Sequence, residues 1–337
     1  MKLGTGLFTT QRRPNDDRSM AEIHDEMLAL ARAIDDAGLA SAWVSEHHFT
    51  DDGYLAATMP VLGALATVTD DVEIGTSIAL APLYDQVRLA EDAATVDLLS
   101  DGRLSLGLAV GYREVEFDGF GVPRDERAAR TEDLVRTLRA AWSDGPLDSD
   151  PEFHAATPDL TVSPRPEAAP PIVLGGDSKP AVRRAARMGD GWIAPSSLSM
   201  AGLRKRAEDI ESVREAEGLN GDFQIYVLQH GFVADSSEEA WDAMRDGYLY
   251  LQRRYAEWYG GEPIDELPED RVTELKEQAI FGTPEQVADE LSAYADALGE
   301  DVHVVLRTFF PGIGTDAMVG CIERLGEEVL PRLPGGT

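Results

Sequence analysis

What is scarce in this chain narrows its class before any motif does. The 337 residues include one cysteine, Cys321, so no disulfide can form within the chain, and a reducing, cytoplasmic setting is expected. No apolar run approaches the ~20 residues that cross a bilayer. The opening MKLGTGLFTTQRRP has too short an apolar patch, interrupted by Gly and Thr, to read as a secretion signal. No membrane partner is expected. Lysine is nearly missing: Lys2, Lys179, Lys205 and Lys276 are the whole set, and 30 bases face 62 acids for a net charge of −32. Such a surface repels nucleic acid, which binds to basic patches. It also repels itself, and salt relieves this; at molar salt the screening length is ~3 Å. The acid excess reads as solvation of the whole surface, the composition of proteins from salt-loving microbes, and not as a binding site. Several chemical signatures are missing too. There is no GxxxxGK[ST], no GxSxG and no Cys–His nucleophile pairing.

What is present is an alternation. Apolar residues make up 43% of the chain, enough for a full core. Short β-rich runs are predicted at residues 2–8, 42–45, 72–80, 103–109, 171–174, 191–194, 223–233 and 302–309. Amphipathic helical stretches are predicted at 20–37, 58–69, 86–99, 127–142, 180–188, 201–217, 236–258, 284–298 and 316–330. Thr283-Pro284-Glu285 reads as an N-cap followed by proline, a helix-start signature. Alternating strands and helices imply parallel βαβ units, and eight of them point to a closed (β/α)8 TIM barrel, one domain over residues 1–337. An open doubly wound sheet is the alternative. Two segments break the alternation. Residues 144–169 read as an insertion after the helix of strand four, and 260–281 as a second one before the last βα unit. Long connections of this kind often act as lids.

Chemistry in a barrel gathers at the carboxyl ends of the strands. WVSEHHF places Glu46, His47 and His48 just past strand two. Adjacent side chains near a strand end point opposite ways, so the two histidines cannot share one role. One is expected to act as an acid or base, with Glu46 orienting it. Neighbouring histidines seldom chelate one ion, and no metal is expected. PIVLGGDSKPAVRRAARMGDGW ends a strand in Gly175-Gly176 and starts a helix near Asp177-Ser178, with Trp192 on the strand after it. Glycines admit a ligand close to the backbone, and unpaired amides at a helix start suit an anion such as phosphate. A plain N-cap at Ser178 is the bland reading. EIGTSIALAP leaves Gly75, Thr76 and Ser77 at the end of strand three, where a planar ligand has room; close helix packing is the alternative. RLSLGLAVGYREVEFDGFG carries Gly107 and Gly111 around a strand end, with Tyr112 and Arg113 beyond. The spacing is not GxGxxG and no helix is expected to follow at once. These glycines read as room for a flat ring or as a bend in a barrel strand. His230 is ambiguous; His24, His154 and His303 read as structural or solvated.

The blocks WVSEHHF, EIGTSIALAP, QVRLAEDAATVDLLSDGRLSLGLAVGYREVEFDGFG, PIVLGGDSKPA with GDGW, and FGTPEQVADEL together resemble the bacterial luciferase-like flavin monooxygenase family. The resemblance covers nearly the whole chain and looks closest to the luciferase alpha-chain branch. It implies a (β/α)8 barrel holding reduced FMN, or in one branch a deazaflavin, coenzyme F-420. It implies the phosphate at Asp177 and Ser178, His47 as the active-site histidine, and a cis peptide at Ser77-Ile78 beneath the flavin. It also implies a mobile loop within 260–281 and a homodimer through helices 58–69 and 86–99. Ala109 and Val110 stand where the luciferase alpha chain has a cysteine and a phosphate-binding arginine, and Arg113 is the candidate replacement for the latter. The implied activity is that of a two-component monooxygenase. A separate flavin reductase supplies reduced FMN, O2 reacts, and a small organic substrate such as an aldehyde is oxygenated while His47 moves a proton. The alternatives are a deazaflavin-dependent hydride-transfer oxidoreductase and a flavin-binding protein without catalysis. Tyr54, Tyr112, Trp192 and Arg307 are expected to shape the substrate pocket.

Overall fold

Each short apolar run becomes a strand, and most of the periodic stretches between them become helices packed outside it. In the computed structural model, residues 1–148, 150, 152–153, 160–261 and 266–335 are described. The chain runs β1 (Lys2–Phe8), α1 (Met20–Asp36), β2 (Ser41–Val44), α2 (Thr58–Ala66), β3 (Glu73–Thr76), β4 (Ala79–Leu80), α3 (Gln86–Leu99) and β5 (Leu104–Ala109). It continues through α4 (Glu114–Phe120), α5 (Arg127–Ala141), β6 (Ile172–Gly175), α6 (Lys179–Met188), β7 (Gly191–Ala194), α7 (Met200–Glu217) and β8 (Gln224–Val233). It ends with α8 (Ser237–Trp258), α9 (Glu269–Gln278), β9 (Ile280–Gly282), α10 (Pro284–Leu298), β10 (His303–Arg307) and α11 (Thr315–Arg324).

The strands pair in parallel in the order β1-β2-β3-β5-β6-β7-β8-β10, and β10 returns to β1, so eight strands close a TIM barrel. Closure runs from Lys2↔His303 to Gly6↔Arg307 on one side of β10 and from His303↔Tyr226 to Arg307↔His230 on the other. A barrel strand is covered on both faces, which is why these runs are apolar rather than alternating. The inner face stacks Leu7, Trp43, Val173, Ile193, Tyr226 and Val305. Toward the amino ends the filling is polar and mostly hydrogen-bonded, His303 Nδ1 being left without a partner. Trp43 Nε1 donates to Ser41 Oγ at 2.7 Å, Ser41 Oγ lies 2.8 Å from His303 Nε2, and the Tyr226 hydroxyl donates to Glu73 at 2.7 Å. His303 is structural, as its context suggested. Helices begin where side chains can cap them: Ser19 with Glu22 opens α1, and Thr283 with Gln286 opens α10. No helix among the described residues is long and apolar enough to cross a membrane.

The sequence-based boundaries need four corrections. The run 72–80 is two strands, β3 and β4, broken at Ser77-Ile78. A short helix, α4, does follow Gly111, starting at Glu114. The stretch 236–258 is not a barrel helix. β8 overshoots the barrel, its last residues pairing with β9 instead (Gly231↔Ile280 to Val233↔Gly282), so the chain enters α8 above the rim. α8 then crosses the carboxyl mouth, and the helix that packs between β8 and β10 is α10. The second insertion therefore begins near residue 234, not 260, and contains α8, α9 and β9; residues 262–265 lie outside the described residues. Within 144–169 no helix or strand occurs among the described residues, and His154 lies outside them. At the carboxyl end the predicted helix breaks after Arg324 into a π turn, Leu325–Val329, and a short 3-10 turn.

Candidate active site

β2 ends at Val44, and the chain turns across the mouth. The Ser45 N–H donates to the Phe8 carbonyl at 3.0 Å and the His47 N–H to the Leu55 carbonyl at 3.1 Å, pinning the EHH segment to the loop that carries Tyr54. The two histidines diverge as expected, although β2 ends before them. The His47 ring sits among Tyr54 (4.9 Å), Tyr112 (5.6 Å), Tyr255 (6.0 Å) and Trp258 (4.9 Å). The His48 ring faces Phe49 and Phe120.

His47 Nδ1 lies 2.8 Å from Glu116 Oε1, on the first turn of α4. The same oxygen accepts the His48 N–H at 3.0 Å and Arg113 Nη1 at 3.0 Å. Glu116 is 0% exposed. Burial pushes its pKa up, but the His47 bond and charge, the His48 amide and Arg113 outweigh it and hold the carboxyl below its ordinary value. A carboxylate can only accept, so a hydrogen is on His47 Nδ1, and Nε2 is the ring nitrogen left to give up or take a proton. Nε2 faces the Tyr112 hydroxyl at 3.5 Å. Burial, more than any neighbouring charge, pushes Tyr112 and Tyr54 well above the ordinary tyrosine value, so both stay O–H donors. The Tyr54 hydroxyl donates to Ser45 Oγ at 2.9 Å and lies 2.9 Å from the Tyr255 hydroxyl. Tyr259 stacks on Tyr112 with ring centroids 4.3 Å apart, although it is 72% exposed. Tyr255, Trp258 and Tyr259, from the end of α8 and the residue after it, thus roof His47 with aromatic rings. The arrangement can take up or return one proton at Nε2 beneath aromatic rings that leave His47 only 5% exposed.

Several expected contacts fall elsewhere. Glu46 does not orient His47. Its Oε1 lies 2.7 Å from His48 Nε2, and its Oε2 accepts the Tyr84 hydroxyl at 2.5 Å. Glu116 does the orienting instead. Arg113 is not free for a phosphate: Nη1 donates to Glu116 and to the His48 carbonyl (2.7 Å), and the guanidinium stands over Trp258 at 4.6 Å. Trp192 does not wall the pocket. It is fully buried, and Nε1 donates to the Gly176 carbonyl at 2.8 Å, supporting the glycine turn from below. Gly107 is a packing glycine. Thr76 Oγ1 donates to its carbonyl at 2.7 Å, and a β-carbon at 107 would stand 1.9 Å from the Thr76 carbonyl oxygen.

Other expected residues do meet at the mouth. The Ser77-Ile78 peptide is cis. Ser77 Oγ is buried and has no partner. Ile78 reaches Gly175, where a β-carbon would stand 2.1 Å from Ile78 Cδ1. Gly111 and Gly176 take φ of +70° and +123°, open to glycine. Ser178 Oγ caps α6, accepting the Ala181 N–H at 3.4 Å, so the N-cap reading holds. Asp177 is near enough to act on the Tyr259 hydroxyl, after burial and Tyr255, which places the start of α6 at the same mouth. The sequence reading missed Glu116 and the three aromatic residues of the roof. The available signal for Glu116 was an acid three residues after Arg113 in GYREVEF, visible only once α4 is foreseen.

Residues 1–301 match the family described as luciferase-like monooxygenase. The chain belongs to that family. It is 27% identical over 348 residues to the flavin-dependent trigonelline monooxygenase, oxygenase component, of Acinetobacter baylyi, covering 96% of this chain and 94% of that protein. It is 26% identical over 332 residues to the F-420-dependent glucose-6-phosphate dehydrogenase of Amycolatopsis mediterranei, covering 91% of this chain and 94% of the other. In fold it resembles the oxygenating constituent of 3,6-diketocamphane monooxygenase from Pseudomonas putida, solved in complex with FMN, with a TM-score of 0.80 at 20% identity over 99% of each chain. Homologues of this chain thus use FMN or F-420.

Proposed function

We propose that the chain is the oxygenase of a two-component monooxygenase, taking reduced FMN from a separate flavin reductase and using O2 to oxygenate a small organic substrate such as an aldehyde. The observation that carries this reading is His47, with Nδ1 held by Glu116 and Nε2 turned to the Tyr112 hydroxyl under the aromatic roof at the carboxyl mouth. Family membership supports it, as does the Acinetobacter relative's name as an oxygenase component. The residues present suit a flavin. The Ser77 hydroxyl is buried without a partner, and Gly175 and Gly176 keep the neighbouring turn free of β-carbons. Ser77, Ile78, Gly175 and Gly176 would flank the ring system, and the backbone of Asp177 and Ser178 at the start of α6 would hold the phosphate. Gly111 and Tyr112 would border the same space.

A bound reduced flavin supplies the electrons with which O2 is activated toward the substrate. The chain's own residues position and protect. Glu116 fixes the His47 tautomer, and His47 accepts or returns a proton at Nε2. Tyr112 and Tyr54 remain hydrogen-bond donors. The α8 roof excludes water, which would otherwise divert the reaction.

Fluorescence titration of the purified protein at molar salt, with FMN and with F-420 in parallel, tests the cofactor. Tight FMN binding, followed by O2 consumption that depends on both reductase and substrate, is the expected result. Preference for the deazaflavin would overturn it in favour of the second reading, hydride transfer. That reading has its own observation: Val110 stands where the alpha-chain resemblance places a phosphate arginine, and Arg113 is engaged by Glu116.

We also propose a homodimer through α2 and α3. Residues 55–69 carry no charged side chain in a chain of net charge −32, yet Pro60 is exposed and Val61, Gly63 and Ala64 are half-buried. A second copy covering this face would account for it. Sedimentation at high salt showing only monomer would refute the dimer.

A further inference from the structure

Arg307 is a fully buried guanidinium with no acid to balance it. Its side chain is 1% exposed. Nε donates to the Phe309 carbonyl at 2.9 Å and Nη2 to Thr9 Oγ1 at 3.0 Å, and the group stands 5.9 Å from the Phe310 ring centroid. No carboxylate pairs with it among the described residues, although acids outnumber bases two to one in this chain. Arg113, at the same mouth, has Glu116. An arginine keeps its charge when buried, so an unbalanced one is costly and calls for a counter-charge.

The neighbouring histidine is short of a partner too. His230 lies opposite Arg307 in the β8–β10 register. Its Nε2 is 3.2 Å from Ser196 Oγ, and its Nδ1 is buried with no partner. Burial, then the Arg307 charge, pushes its pKa down to about 3, so the ring is neutral. Strand parity aims both residues into the barrel. Leu228 and Val305 lie with the interior cluster, and His230 and Arg307 are the next residues on those faces, one layer nearer the mouth. Leu228 and His230 are partly exposed, so open space reaches this layer. Arg307 is close enough for its charge to act on Tyr54, whose ring packs against His47. β10 lies opposite β5 in the ring of strands, away from the glycine turn and Ser77.

We propose that Arg307, with Thr9 and His230, is an anion subsite, and that the substrate of this chain is a small organic acid whose carboxylate pairs with Arg307 while its apolar or aromatic body lies along Leu228 and His230, the partly exposed residues of that face. The substrate assignment rests on the monooxygenase reading; the anion subsite does not. The carboxylate end anchors the molecule on the β8–β10 side, leaving its other end to face His47.

The test is calorimetric titration of the full chain with benzoate and with benzamide, which share a shape and differ in charge. FMN binding is measured on the same samples by fluorescence. The wild type is expected to bind benzoate about tenfold or more tighter than benzamide, the advantage of a charge-assisted bidentate pair. Arg307→Met should abolish the difference, Arg307→Lys should keep part of it, and FMN affinity should not change in either. A wild type without preference for benzoate, or an Arg307→Met variant that retains it, overturns the subsite. Loss of FMN binding in Arg307→Met also overturns it, because the arginine would then belong to the cofactor. If that variant does not fold, Thr9→Val, which removes the hydroxyl holding Nη2, should weaken benzoate several-fold, and an unchanged benzoate affinity overturns the proposal. A wild type that binds neither FMN nor the deazaflavin strikes the monooxygenase reading alone, since the benzoate comparison needs no cofactor.

Discussion

Mild acid should loosen this barrel, and His303 should account for about half of the effect. His303 is fully buried among Trp43, Tyr226 and Ser41. Burial, then the charge of Lys2, pushes its pKa down to about 3. Glu73 lies 3.8 Å from Nδ1, too far for a hydrogen bond, and is engaged by the Tyr226 hydroxyl, so burial wins. His230 is likewise pushed down to about 3. An unfolded histidine titrates near ~6.5. Between these values the unfolded chain binds a proton that the folded chain refuses, so stability is full above ~6.5 and falls as pH falls toward the folded pKa. The slope is ~1.4 kcal/mol per pH unit for each residue, hence ~2 kcal/mol each and ~4 kcal/mol together at pH 5. That is a large share of the ~5–15 kcal/mol that holds a typical protein folded. Relief of the −32 surface charge by carboxyl protonation acts in the opposite direction, but mostly nearer ~4, so the window from 5 to 7 isolates the histidines. Urea unfolding in molar salt across that window is the assay, for wild type and for His303→Gln. The wild type should lose ~4 kcal/mol and the variant ~2 kcal/mol over the window. Parallel curves for the two proteins would refute the burial argument.

Two glycines separate packing from binding. Gly107→Ala drives a β-carbon onto the Thr76 backbone carbonyl at 1.9 Å and should destabilise by ~1–3 kcal/mol or more, read by thermal unfolding. Gly175→Ala meets only the end of the flexible Ile78 side chain; it should leave the melting temperature nearly unchanged while weakening FMN binding, read by fluorescence. Glu116→Gln keeps the shape but removes the charge that holds His47, so turnover should fall ~100-fold or more with FMN affinity preserved; wild-type turnover would show that the tautomer is not set by Glu116. Arg113→Met leaves Glu116 buried without its cation and should cost ~3–5 kcal/mol in urea unfolding. Raising NaCl from 0.1 to 2 M should raise the melting temperature by screening the acid surface, and a flat response would refute the solvation reading of that surface.

Local signals were enough for the barrel's strands and for most of its outer helices. Buried parallel strands read as short apolar runs, and caps such as Ser19 and Thr283 are written in the adjacent residues. The divergence of His47 and His48 was expected from their adjacency near a strand end, and the expectation of a mouth at the strand ends followed from the fold class. Where the reading failed, the deciding contact was distant in sequence or two readings shared one local pattern. The carboxylate that holds His47 comes from 69 residues away; Glu46, next door, points to His48 because its neighbour on the turn faces the other way. The α8 stretch has the periodicity of a barrel helix, and only the overshoot of β8 onto β9 lifts it across the mouth. Gly107 and Gly175 look alike in sequence. What stands opposite the missing β-carbon, a fixed carbonyl in one case and a movable side chain in the other, is settled only when the sheet closes. Arg307 is legible in the sequence as a strand-end residue of the pocket, but its burial without an acid among the described residues appears only on closure. Periodicity and capping act over a few residues and are legible in a string; which charges end up sharing a low-dielectric space depends on the closed ring of strands, and only the tertiary structure decides it.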